Sequence, residues 1–118
     1  MRIDVDVREQ KRTQILVVSI VGTIDIPTET ILFRKRIEGF IAAGYRNLII
    51  DIEELRWIDS AVFGELIIAK SMVAQAGGEL VLVCSEEKQI KLLPGINFKQ
   101  AFVTAENEAR ALQCFTSR

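Results

Sequence analysis

Trp57-Ile58-Asp59-Ser60 gathers an indole, a carboxylate and a hydroxyl into four consecutive residues. It is the most suggestive stretch of the chain because it falls between a predicted buried strand and a predicted helix, where open α/β sheets gather function. A serine in such a place can be a nucleophile, a helix cap or an acceptor for phosphate. The nucleophile needs a base, and the chain contains no histidine and no Gly-x-Ser-x-Gly elbow. The missing histidine also removes the usual general base near neutral pH and the commonest metal ligand. Two roles stay open. Asp and Ser are preferred N-cap residues, so capping alone accounts for both. Equally, a helix N-terminus favours negative charge, so the helix itself would tolerate a phosphate on Ser60. Asp59, one residue away, would oppose that charge. Modification is therefore expected to change the surface offered to a partner more than the fold. Trp57 is either half-buried packing or an exposed binding anchor.

Other candidates carry less. Gly22-Thr-Ile-Asp25 puts one acid after a strand, a pattern that usually forms a turn. Gly77-Gly78 ends a helix instead of leading from strand to helix, so it is no phosphate loop. Glu86-Glu87-Lys88 reads as a solvated helix start. Cys84 and Cys114 are far apart, form no metal motif, and read as reduced thiols in or near the core, which suits the cytosol. No cofactor or metal is expected.

The totals narrow the class. The chain has 118 residues, enough for one domain over 1–118 with its core at about 3–112. Hydrophobic residues make up 49%, so a core forms without staples. Fifteen basic side chains against 16 acidic ones leave a net charge of −1, which gives no pull toward nucleic acid or anionic lipid. The apolar stretches are too short to span a membrane, and no secretory pattern is present, so a cytoplasmic location is expected.

The elements that must position Ser60 follow from periodicity. Ile3, Val5 and Val7 alternate with polar residues as a half-exposed strand. Gln10 to Thr13 is a polar turn, and Ile15 to Val21 is a buried strand. Asp25-Ile-Pro27 is a loop. Thr28 to Ala43 predicts a helix burying Ile31, Phe33, Ile37, Phe40 and Ile41, with Gly44 as its stop. Leu48 to Ile52 and Leu80 to Val83 are buried strands. Between them a helix runs from Asp59-Ser60 to about Ala76, carrying Val62, Phe63, Leu66, Ile67, Ile68, Met72 and Val73. A short helix over Glu86 to Leu93, an edge strand at Ala101-Phe-Val103 and a last helix capped by Thr104 complete the order β-β-α-β-α-β-α-β-α. Such alternation predicts an α/β domain with a mostly parallel mixed sheet, an antiparallel N-terminal pair and helices packed against it.

This order resembles the STAS domain. So do Gly22-Thr-Ile-Asp25 after the second strand, Asp59-Ser60-Ala61-Val62-Phe63-Gly64 at the second helix and Gly77-Gly78-Glu79-Leu80 beyond it. The chain is most similar to the stand-alone anti-sigma factor antagonists of bacteria. The resemblance implies a protein-binding switch, not an enzyme. The unphosphorylated form would sequester an anti-sigma factor, a serine kinase of the histidine-kinase-like ATPase fold. Phosphorylation of Ser60 would release it, and a PP2C-type phosphatase would reset the switch. Asp25, Trp57, Asp59, Ser60, Ala61 and Val62 would line the partner surface. The family's usual motifs are Gly-Glu-Leu-Asp and Asp-Ser-Ser/Thr-Gly-Leu-Gly. Ala61 therefore lacks a second hydroxyl, and Val62 replaces a glycine, so its side chain is expected to crowd the kinase's approach. The alternative is a constitutive STAS scaffold or an accessory subunit of a signalling or transporter assembly.

Overall fold

Two long strands open the chain. β1 (Arg2–Gln10) and β2 (Thr13–Val21) pair antiparallel from Arg2 opposite Val21 to Gln10 opposite Thr13. Lys11 and Arg12 make the two-residue turn, both with positive φ, which matches the right-handed twist of a hairpin. The computed structural model describes residues 1–115. β3 (Asn47–Asp51), β4 (Glu79–Val83) and β5 (Val103–Ala105) add in parallel, giving the sheet order β1-β2-β3-β4-β5. Among the described residues, α1 (Thr28–Ala42), α2 (Ser60–Gln75), α3 (Glu86–Leu92) and α4 (Phe98–Ala101) lie in the connections, and α5 (Glu108–Gln113) follows the last strand.

Strand alternation divides the core into two layers. Leu16, Val18, Ile20, Leu48, Ile50, Leu80 and Leu82 face one way, under Phe33 and Ile37 of α1, Val62, Leu66, Ala69 and Val73 of α2, and Phe98. Ile15, Val17, Ile49, Val81 and Val83 face the other way, under Ala111 of α5 and Phe115. Burial on both faces explains why β2, β3 and β4 read as continuous apolar runs. Gly78 lets the chain enter β4, because a Cβ there would lie 1.5 Å from the Arg46 carbonyl oxygen.

Several expectations are corrected. Ile31 of α1 is exposed, and Thr30 takes the buried place, its hydroxyl donating to the Pro27 carbonyl at 2.6 Å. Ile67 and Ile68 of α2 also face outward. The buried row Val62-Leu66-Ala69-Val73 follows the 3.6-residue period. Ala101 closes α4 instead of opening a strand. Asn97 caps that helix through Lys99 N–H at 3.0 Å. Phe98 and Phe102 both pack on the Phe63 ring, with centroids 5.0 and 5.7 Å away, so the strand starts only at Val103. Asn107, not Thr104, caps the last helix, accepting Arg110 N–H at 2.9 Å.

Candidate functional site

Two loops leave the C-terminal ends of β2 and β3 side by side, the position where parallel α/β sheets gather their functional groups. Gly22 adopts φ +95° and turns the first loop. Its N–H donates to Glu54 O at 3.1 Å, and its carbonyl accepts Arg56 N–H at 2.8 Å. A parallel bridge between Gly22 and Leu55 thus joins the loops that carry Asp25 and Asp59-Ser60. Ile24 pins the first loop in the core, and Leu55 and Ile58 pin the second. With those anchors inward, Arg56 and Trp57 turn outward, and Trp57 is 48% exposed. The half-buried alternative for the indole gives way to the exposed one.

Asp59 is the N-cap of α2. It has extended backbone, and its carboxylate accepts Val62 N–H at 2.9 Å. Ser60 is the first helical residue and is exposed, and among the described residues its hydroxyl makes no hydrogen bond. The two roles left open in Asp59-Ser60 are therefore split between two residues: Asp59 caps, and the Ser60 hydroxyl is left over. Ala61 is exposed beside it. Val62 is not on this surface. Its side chain is fully buried in the larger core layer, because the third helical residue of α2 starts the inward row. It neither lines a partner surface through its side chain nor crowds an approach to Ser60.

Asp25 is exposed in the neighbouring loop. Its N–H donates to the Glu29 carboxylate at 2.8 Å, and its carbonyl accepts Glu29 N–H at 3.0 Å. That N–H, together with the terminal ammonium 2.9 Å from the other oxygen, holds the Glu29 carboxyl below its ordinary range. Glu29 was not singled out from sequence, although its position four residues after Asp25, across a proline, was a readable signal. Arg34 of α1 grips Glu65 of α2 through two bonds of 2.6 and 3.1 Å, tying the two site helices together.

The surrounding groups are poor in reactive chemistry. Burial pushes the Cys84 thiol up to about 12, with Glu53 adding to the shift. That thiol stays protonated and unreactive. Cys114 is half-buried, with Sγ 3.6 Å from the Arg110 carbonyl. Glu53 accepts Ser85 N–H and so ties the β3 loop to the end of β4. Among the described residues no cluster of acids and cysteines is arranged to hold a metal ion. No described helix is long and apolar enough to cross a membrane.

Solved structures share this architecture. The unphosphorylated anti-sigma factor antagonist SpoIIAA superposes with a TM-score of 0.67 at 16% identity, covering 98% of this chain and 100% of its own. Moorella thermoacetica RsbS gives 0.68 at 22%, covering 97% and 98%. An anti-sigma factor antagonist from Mycobacterium paratuberculosis gives 0.65 at 22%, covering 96% and 93%. At these identities the likeness is one of fold. A comparison with curated protein sequences gives no significant match. The STAS domain family model matches residues 4–111, nearly the whole length, and the chain therefore belongs to the STAS domain family.

Proposed function

We propose that the chain is an anti-sigma factor antagonist whose binding is switched by phosphorylation of Ser60. The observation that carries the reading is the uncommitted Ser60 hydroxyl at the first residue of α2, beside Asp59, which supplies the cap in its place. The reading is further supported by structural neighbours that include SpoIIAA in both its unphosphorylated and phosphorylated forms. Asp25, Trp57, Asp59, Ser60 and Ala61 form the partner surface. The partner is an anti-sigma factor that is also a serine kinase of the histidine-kinase-like ATPase fold. A PP2C-type phosphatase resets the switch.

The charge arithmetic suits such a device. A phosphate adds about −1.5 to −2 charges. An unpaired charge in an interface costs about 2–5 kcal/mol, or about thirty-fold to several-thousand-fold in affinity. The helix tolerates the phosphate at its positive end, so release needs no refolding. Incubation with ATP and the cognate kinase, read by intact mass, tests the reading. One added phosphate, absent in Ser60→Ala, is expected, and a phosphate that persists in that variant would overturn the assignment. A second reading, a constitutive scaffold, is favoured by the outward Ile67 and Ile68 of α2. It requires partner affinity indifferent to Ser60→Asp.

A further inference from the structure

β1 is the outermost strand of the sheet, and among the described residues nothing pairs with its second edge. Long open edges are usually shortened, bulged, interrupted by proline, lined with charged side chains or covered. Of these devices β1 has the charges, Arg2, Asp4, Asp6, Arg8 and Glu9, which are of both signs. β1 is paired with β2 without a bulge along all nine residues, and it contains neither proline nor glycine. In a two-residue hairpin the closing pair, here Gln10 and Thr13, exchanges hydrogen bonds. Alternation from that pair turns the N–H and C=O groups of Ile3, Val5, Val7 and Glu9 toward the free edge.

The side chains sort by face. Val5 and Val7 stand opposite Val18 and Leu16 of the larger core layer, yet they remain 37% and 47% exposed. Asp6 and Arg8 stand opposite Val17 and Ile15, on the α5 side, where Arg8 also reaches Glu108 at 3.1 Å. The edge thus offers apolar side chains on one face and charges of both signs on the other.

We propose that this edge pairs with the same edge of a second copy of the chain, antiparallel, about a twofold axis at Val7. Edge residues must meet edge residues, so the axis falls on a single residue, and charge decides which. Centred on Val5, the pairing would set Asp4 against Asp6 and Arg2 against Arg8. Centred on Asp4, Asp6 or Arg8, it would set a charge against its own copy. Among registers that pair more than half the strand, only the Val7 axis opposes no like charges. It runs from Asp4 to Gln10 of each copy and sets Asp6 against Arg8 twice. It also lays Val7 on Val7, and Val5 against the Glu9 stem. Opposite-charge and apolar cross-strand pairs are the units that stabilise a sheet. The two five-stranded sheets become one continuous sheet.

Sedimentation of the full chain across micromolar to millimolar concentration tests this. A concentration-dependent dimer is expected. Asp6→Arg alone and Arg8→Asp alone each place like charges across the seam and weaken association by about tenfold or more. Mixing those two variants makes every charged pair opposite and restores the dimer, now as a heterodimer. Val7→Pro removes an outward N–H that β2 does not use, and Val7→Lys sets two ammonium groups on the axis. Either yields a monomer with an unchanged circular dichroism spectrum. A wild-type chain that stays monomeric throughout, or a dimer that none of these variants weakens, overturns the proposal. Failure of the mixed variants to recover association overturns the Val7 register.

Discussion

The two loops beside Ser60 are built alike but work differently. Each follows a parallel strand, buries an isoleucine (Ile24 or Ile58) and carries a carboxylate just before a helix. Asp59 spends its side chain on the α2 cap. Asp25 does not cap α1, whose N-cap is Pro27 without a side-chain bond. Instead, Glu29 reaches back to the Asp25 main chain. The same residue type is structural in one loop and presented to solvent in the other. Replacing the two acids should therefore separate stability from binding, and that separation can be broken at several strengths.

The anchors give the largest effect. Ile58→Ala should cost about 2–5 kcal/mol in chemical unfolding, and Ile24→Ala should cost a comparable amount, because both are buried in the same core layer. An unequal loss would mean that one loop is not held by its anchor. Next, Asp59→Ala should cost about 0.5–2 kcal/mol through the lost cap. Asp25→Ala should stay within about 0.5 kcal/mol while weakening partner binding in titration calorimetry. Equal stability losses from the two would erase the distinction.

The two loops also differ in how they respond to pH. Glu29 has a lowered folded-state pKa, set first by the Asp25 N–H. Its contribution is present above the ordinary carboxylate range and is lost as pH falls through the lowered value. The protection of the Asp25 amide, its exchange measured against the intrinsic rate at each pH, should fall on acidification, and in Glu29→Gln that pH dependence should flatten. The smallest effect lies at the root of the second loop. Burial raises the Asp51 carboxyl, with Glu53 and Glu54 adding repulsion. A raised acid binds its proton better folded than unfolded, so stability falls as pH rises through that window. Asp51→Asn keeps an acceptor for Glu53 N–H. It should raise the neutral-pH melting temperature slightly, with the gain disappearing in acid.

Much of this was legible in the residues. The apolar runs of β2, β3 and β4 announced strands buried on both faces, and Asp59-Ser60 announced the start of α2. Phase was harder to read. Val62 belongs to the family's motif by position, yet its side chain points into the core. Ile31, Ile67 and Ile68 are apolar and face solvent. Composition cannot supply the rotation of a helix whose apolar residues lie on several sides, as they do in α2. α4 was missed because four residues show no period, and its placement rests on Phe98 and Phe102 packing against Phe63, far away in sequence.

By itself, the sequence determined the order of elements, the buried strands and the two acids that precede helices, because periodicity and capping act over a few neighbouring residues. Only the tertiary structure decided which acid caps, that Trp57 faces out and Val62 faces in, and that Ser60 keeps an uncommitted hydroxyl. Those outcomes depend on loops zipped together at Gly22 and Leu55 and on which helix face meets the sheet. Both are contacts between segments far apart in the chain.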